Sequence, residues 1–133
     1  MDSFFSDADI ISVYTRADAL EDGALVDASD LAKEAGFKIC TAITQALFAR
    51  LNPGELDKAN GQDFTGRLWD VLYMASLAAR RNTNESRITF SVILYEVNEV
   101  TRRARQNYIE LILDLGPGDN FEPVITIGFP EDY

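Results

Sequence analysis

The chain has 133 residues, with 22 Asp and Glu against 12 Lys and Arg, no His and one Cys, for a net charge of −10. That length suits a single domain, residues 1–133, burying roughly two-thirds of the surface its unfolded chain would expose. Without histidine there is no Ser-His-Asp or Cys-His catalysis. A lone cysteine can close no intrachain disulfide and build no thiolate zinc cage, which fits a reducing cytoplasm.

Ile10-Ile11-Ser12-Val13-Tyr14 reads as a short β-prone lead-in. Thr15-Arg16-Ala17-Asp18 then has the spacing of a capping box, predicting a helix of about two turns to Asp22 that Gly23 closes in the left-handed conformation. Ala24–Asp27 is a brief extended piece. Ser29 or Asp27 caps a second short helix, Asp30 to Ala35, ended by Gly36 with Phe37 folding back. Ile39, Ile43, Ala46, Leu47 and Leu51 form a stripe that predicts a third helix, stopped by Asn52-Pro53-Gly54. Glu55–Gln62 is polar and reads as a surface loop. Phe64, Leu68, Val71, Leu72, Ala75 and Ala79 mark a fourth helix capped by Asp63, with Arg80 and Arg81 suiting its C-terminal dipole.

The period then changes from helical to alternating. Arg87–Val97 is a strand, Asn98–Gln106 a charged connection, and Tyr108–Leu115 a second strand with one aliphatic face. Gly116-Pro117-Gly118-Asp119-Asn120 is a turn, and Pro123–Phe129 the last strand. The expected class is α+β: about four helices from the N-terminal half, packed on one face of a small antiparallel three-stranded sheet formed by the C-terminal half. No apolar run reaches ~18 residues, and Met1-Asp2-Ser3-Phe4-Phe5 has no basic flank, so neither a membrane span nor a secretion leader is expected.

Charge is unevenly placed. Residues 2–34 hold nine acids and two bases, and residues 107–133 hold six acids and no base. Residues 78–106 carry six Arg against three Glu. The acidic ends can meet in the fold as one negative face, which would repel nucleic acid and acidic membranes and speed encounter with a basic partner. Solubility alone also explains such a balance.

Each candidate site has a structural alternative. Tyr14-Thr15-Arg16 with Glu21-Asp22-Gly23 resembles a small site, yet capping explains every residue, with Arg16 pairing at the surface. Asp27, Asp30 and Glu34 could hold a divalent cation, but they lack the EF-hand spacing and read as a solvated face. Gly116-Pro117-Gly118-Asp119 lacks the Lys-Ser/Thr of a phosphate loop. Arg80-Arg81 and Arg102-Arg103-Ala104-Arg105, with Tyr95 and Tyr108, could contact nucleic acid, against the sign of the whole molecule. Cys40 has no base to activate it and reads as a small core residue. Trp69 and Tyr73 read first as core packing against the sheet, and second as a partner hot spot.

Four separated runs, Ile11–Asp27, Ala32–Phe37, Arg67–Ala75 and Gly116–Ile127, resemble an uncharacterised domain family of small proteins from phages, plasmids and bacterial mobile elements. Lys38-Ile39-Cys40 departs from it where an aromatic-proline pair is more usual. The resemblance brings no catalytic residues or cofactors. It implies an accessory protein that antagonises host defence by stoichiometric binding in the host cytoplasm.

The resulting expectation is a non-enzymatic acidic inhibitor. It blocks the nucleic-acid-binding surface of a CRISPR-type or restriction effector, with Glu21, Asp22, Asp27, Asp30, Asp119, Glu122, Glu131 and Asp132 facing that basic partner. No direct nucleic acid, membrane, metal or cofactor enters this reading. The alternatives are a carboxylate-based metal-dependent enzyme on Asp27/Asp30 or Asp114/Asp119/Glu122, and a structural subunit that forms a homodimer through the sheet edge.

Overall fold

The computed structural model describes residues 13–133. The helices are α1 (Arg16–Asp22), α2 (Ser29–Glu34), α3 (Gln45–Leu51), α4 (Glu55–Ala59) and α5 (Phe64–Arg81). The strands are β1 (Leu25–Asp27), β2 (Thr41–Thr44), β3 (Arg87–Val97), β4 (Ala104–Pro117) and β5 (Pro123–Gly128), followed by a 3₁₀ turn, Pro130–Asp132. The α+β class holds, but the sheet has five strands in the order β1-β2-β5-β4-β3. It is mixed, because β2 pairs parallel with β5 while every other pair is antiparallel.

Local chemistry explains the elements that sequence reading places well. Thr15 accepts from Asp18 N at 3.0 Å while the Asp18 carboxylate accepts from Thr15 N at 3.2 Å, and Gly23 ends α1 at φ 88°. Gly36, at φ 111°, closes the turn after α2, and Phe37 N returns to Ala32 O at 2.9 Å. The N-cap of α2 is Ala28; Asp27 instead accepts from Ser29 N and Oγ at 3.2 and 2.7 Å. Asp63 caps α5 through Gly66 N, 2.6 Å. Of the expected lead-in, Ile10, Ile11 and Ser12 lie outside the described residues, and Val13 and Tyr14 are not strand.

Three expectations are corrected. The third helix begins at Gln45, and the segment before it is strand β2. Thr41, Ile43 and Thr44 are β-branched, all four residues of β2 are buried, and hydrogen-bonding neighbours on both sides outweigh the helical stripe. Thr44 then caps α3 by accepting from Leu47 N at 3.3 Å. The polar stretch Glu55–Gln62 is not all loop: Asp57 Oδ2 accepts from Gly54 N at 3.1 Å and starts α4. The charged connection after β3 is shorter than expected, since β4 begins at Ala104 and pairs with β3 along all 11 residues.

The core lies between α5 and one sheet face. Leu68, Val71, Leu72 and Ala75 meet Ile88, Phe90, Val92, Leu111, Ile125 and Ile127, with Ile43, Leu47 and Leu51 closing one end. Arg67 is buried in this layer beside Asp57, their side chains 3.3 Å apart. Asp57 Oδ1 accepts from Val97 N at 2.6 Å, and Arg67 Nη2 donates to Tyr95 O at 2.7 Å. The pair therefore ties α4 and α5 to the end of β3. Burial pushes the Asp57 carboxyl up, but the N–H groups of Val97 and Gly54 and the Arg67 guanidinium outweigh it and hold it below the usual carboxylate range.

Removing one member of a buried, hydrogen-bonded ion pair leaves the other uncompensated. Asp57→Ala should cost about 3–5 kcal/mol of unfolding free energy in urea, on that basis. Arg67→Met should cost less, because the Asp57 carboxylate keeps its two backbone donors. A depressed carboxylate stabilises the fold above its unfolded pKa and loses that contribution as pH falls through its folded value. The gap between wild type and Asp57→Ala should therefore be full at neutral pH and shrink below about pH 4, near the unfolded Asp value.

Candidate interaction surface

Helix α1 lies across the sheet face opposite α5. Arg16 Nη1 donates to Thr126 Oγ1 at 2.6 Å and Nη2 to Ile125 O at 2.8 Å, and the Thr126 side chain alternates away from core-facing Ile125 and Ile127. Burial lowers the Arg16 pKa, opposed by the nearby carboxylates of Asp119, Asp27 and Glu122. Among the described residues Arg16 makes these inward bonds rather than the surface ion pair expected for it, because its head meets β5.

The two acidic ends of the chain meet at the start of α1. Asp119, in the β4–β5 turn, accepts from Arg16 N at 2.8 Å and from Ala17 N at 3.0 Å. These are the first two N–H groups of the helix, which have no intrahelical acceptor and carry the positive end of its dipole.

The strand pairings place the eight proposed acidic residues in two groups. Asp27, at the end of β1, and Asp30, in the first turn of α2, lie at the sheet end where β2 and β5 begin, as do Asp119 and Glu122. Glu21 and Asp22, at the end of α1, lie at the opposite sheet end with Glu131 and Asp132, since Leu25 pairs with Thr44 and Thr44 Oγ1 donates to Asp132 at 2.7 Å. Helix α1, about 10 Å long at ~1.5 Å per residue, spans the gap between the groups. Asp18, not among the eight, belongs with them: Asp18, Glu21 and Asp22 share one helical face by i, i+3, i+4 spacing. The result is an acidic strip that wraps the β1-β2-β5 half of the sheet, with Glu21 and Asp22 on the α1 face and Asp30 beside Thr65 and Leu68 of α5 on the other. Arg102, Arg103 and Arg105 lie at the β3–β4 turn on the other half and Arg81 at the end of α5, whereas Arg16 lies within the strip and Arg80 reaches Gly36 after α2.

Several strip carboxylates are already engaged within the chain. Asp22 accepts from the Tyr14 hydroxyl and from Ala24 N, which holds its pKa down; the same bond pushes Tyr14 up to about 12. Asp132 accepts from Phe129 N at 2.8 Å and Glu122 from Asn120 N at 3.0 Å. Glu21, Asp30 and Glu131 are exposed, with no hydrogen bond from the described residues to their carboxylates. No group of three or more Asp, Glu, Cys or His among the described residues is placed to hold a metal ion, and Asp114 is bound by Arg87 at 3.1 Å.

Two other assignments change. Cys40 is exposed, in the link entering β2, and is not a core residue. Trp69 and Tyr73 do not pack into the core: they stack at 6.1 Å between ring centroids on the solvent side of α5, 37% and 47% exposed. The buried positions of α5 are Arg67, Leu68, Val71, Leu72, Ala75, Ser76 and Ala78, and neither ring is among them.

The match to a family model decides the family. It covers residues 1–133 and describes a family of unknown function, DUF6573. The chain belongs to that family. No curated protein and no solved structure matches it. Among the described residues of this DUF6573 member, no helix is long and apolar enough to cross a membrane.

The clamp of Asp119 on α1 is testable. Losing a carboxylate that receives helix N-terminal amides costs about 0.5–2 kcal/mol. Asp119→Ala should lower stability by that amount in urea titrations and raise hydrogen exchange in α1 well before the core. Asp119→Asn, which keeps an acceptor, should fall between the two.

Proposed function

We propose that this DUF6573 protein is a non-enzymatic acidic binding protein of a mobile genetic element, acting in the cytoplasm of a bacterial host. Its target is a basic, nucleic-acid-handling complex of host defence, a CRISPR-type or restriction effector whose Lys/Arg-lined surface it occupies in place of phosphates. The observation that carries this reading is the acidic strip: carboxylates far apart in sequence are gathered on the β1-β2-β5 half of the sheet, while Arg102, Arg103 and Arg105 stand at the β3–β4 turn on the other.

Charge laid out this way steers a basic surface into register before contact. Exposed carboxylates such as Glu21, Asp30 and Glu131 would set the association rate and its salt dependence. Inhibition then needs stoichiometric occupancy and no turnover. The carboxylate-enzyme alternative would require convergent acids around an open position, and the strip instead spreads them along a surface.

The test is a tagged pull-down from the host at low and high salt, followed by kinetics with the recovered complex. Replacing Glu21, Asp30 and Glu131 together by Lys should slow association at least ~10-fold at low salt, the scale on which electrostatic steering acts. The effect should shrink as salt is raised, while the dissociation rate changes little. An association rate indifferent to both ionic strength and this triple substitution would overturn the proposal.

A further inference from the structure

The two edges of the sheet are unlike each other. Strand β1 has three residues, whereas β3 has 11 and carries charge only at Arg87 and Glu96. Long, neutral edge strands are templates for pairing, and proteins that must avoid it place Lys, Pro or a bulge there. β3 has none of these.

Its backbone polarity can be followed residue by residue. In an antiparallel ladder, alternate residues turn both N–H and C=O toward the neighbouring strand. Flanking β3, Leu115 N donates to Ser86 O at 2.6 Å and Asn98 N to Arg103 O at 3.0 Å, so the even-numbered residues face β4. The odd-numbered ones face outward. At one end the buried pair covers them, Asp57 on Val97 N and Arg67 on Tyr95 O. Thr89, Ser91 and Ile93 have no backbone partner on that side among the described residues.

Helix α5 runs antiparallel to β3 and forms a groove with this bare edge. One part, about 410 Å³, is lined by Asp70, Tyr73 and Met74 against Ile93 and Tyr95. The next is lined by Met74, Ala78 and Arg81 against Thr89 and Phe90. Both parts share Met74 and Ser91, so the acid and the base lie on either side of a common midpoint. Burial pushes the Asp70 carboxyl up, with no cation among the described residues opposing it. Exposed Tyr73 lines the groove and stacks on Trp69.

We infer that β3 and α5 form the interface of a homodimer, in which two β3 strands pair antiparallel about a two-fold axis at Ser91 and join the sheets of two copies. The symmetry makes the surface its own complement. Thr89 faces Ile93 of the second copy, Arg87 faces the ring of its Tyr95, and Asp70 meets its Arg81. The bare amides and carbonyls of residues 89, 91 and 93 are satisfied, and the acidic strips stay on the outer flanks, where their mutual repulsion is least. A second copy fits better than an unrelated strand because it presents base to acid and acid to base along the same groove.

Light scattering on the eluting full-length chain should give twice the mass of the 14.8 kDa monomer. Ser91→Pro removes only an outward N–H and is compatible with an edge strand, so it should give a folded monomer by circular dichroism. If that variant fails to fold, charge exchange decides. Asp70→Arg and Arg81→Glu, each breaking two symmetric pairs, should each raise the dimer dissociation constant about 10-fold, and the double variant should restore it. A wild type that is monomeric at ~100 μM, including one whose β3 amides gain protection only with a different protein, would overturn the inference. So would a dimer that Ser91→Pro leaves intact, or, where that variant does not fold, one that the charge exchanges leave intact.

Discussion

The structure depends on β5 lying in the middle of the sheet. It is six residues long, yet it pairs parallel with β2 on one side and antiparallel with β4 on the other. Ile125 and Ile127 enter the core from it, and Thr126 and the Ile125 carbonyl receive Arg16 on the opposite face. Without β5, the N-terminal elements and the β3–β4 hairpin would share only the helical layer. The parallel contact joins residues 41–43 to residues 125–127 and can be gained only after the intervening chain is ordered.

Sequence reading succeeded where the signal is local. The Thr15/Asp18 box, Gly23, Gly36, the Asp63 cap and the apolar face of α5 involve residues within a few positions of each other. β3 was legible in full because strict alternation of Ile88, Phe90, Val92 and Leu94 with polar or exposed neighbours admits little else. The sequence left open whether the two acidic ends meet, since a carboxylate of the β4–β5 turn on the amides of α1 leaves no trace in the spacing of either segment.

The misreadings share one cause. Ile43, Leu47 and Leu51 do form a helical stripe, but Ile43 reaches the core from a strand and the others from a helix, so one period was laid over two elements. Arg67 sits among Phe64, Leu68 and Val71 on the apolar arc of α5, and that position was the available hint of a buried cation. Its partner Asp57 lay in a stretch read as loop. The pair is structural, yet it also decides where the edge of β3 is covered and where it is bare. Trp69 and Tyr73 read first as core packing because they widen the apolar face of α5, yet the arc centred on Leu68, Val71 and Leu72 leaves both exposed.

The hold of Asp119 on the opening of α1 has a consequence for biosynthesis. Helix α1 receives its clamp from a residue made 103 positions later, and the central strand follows later still. Helix α1 and strand β2 must wait, unfinished, for the β4–β5 turn and β5 to emerge, so the N-terminal elements are completed by the last strand of the sheet.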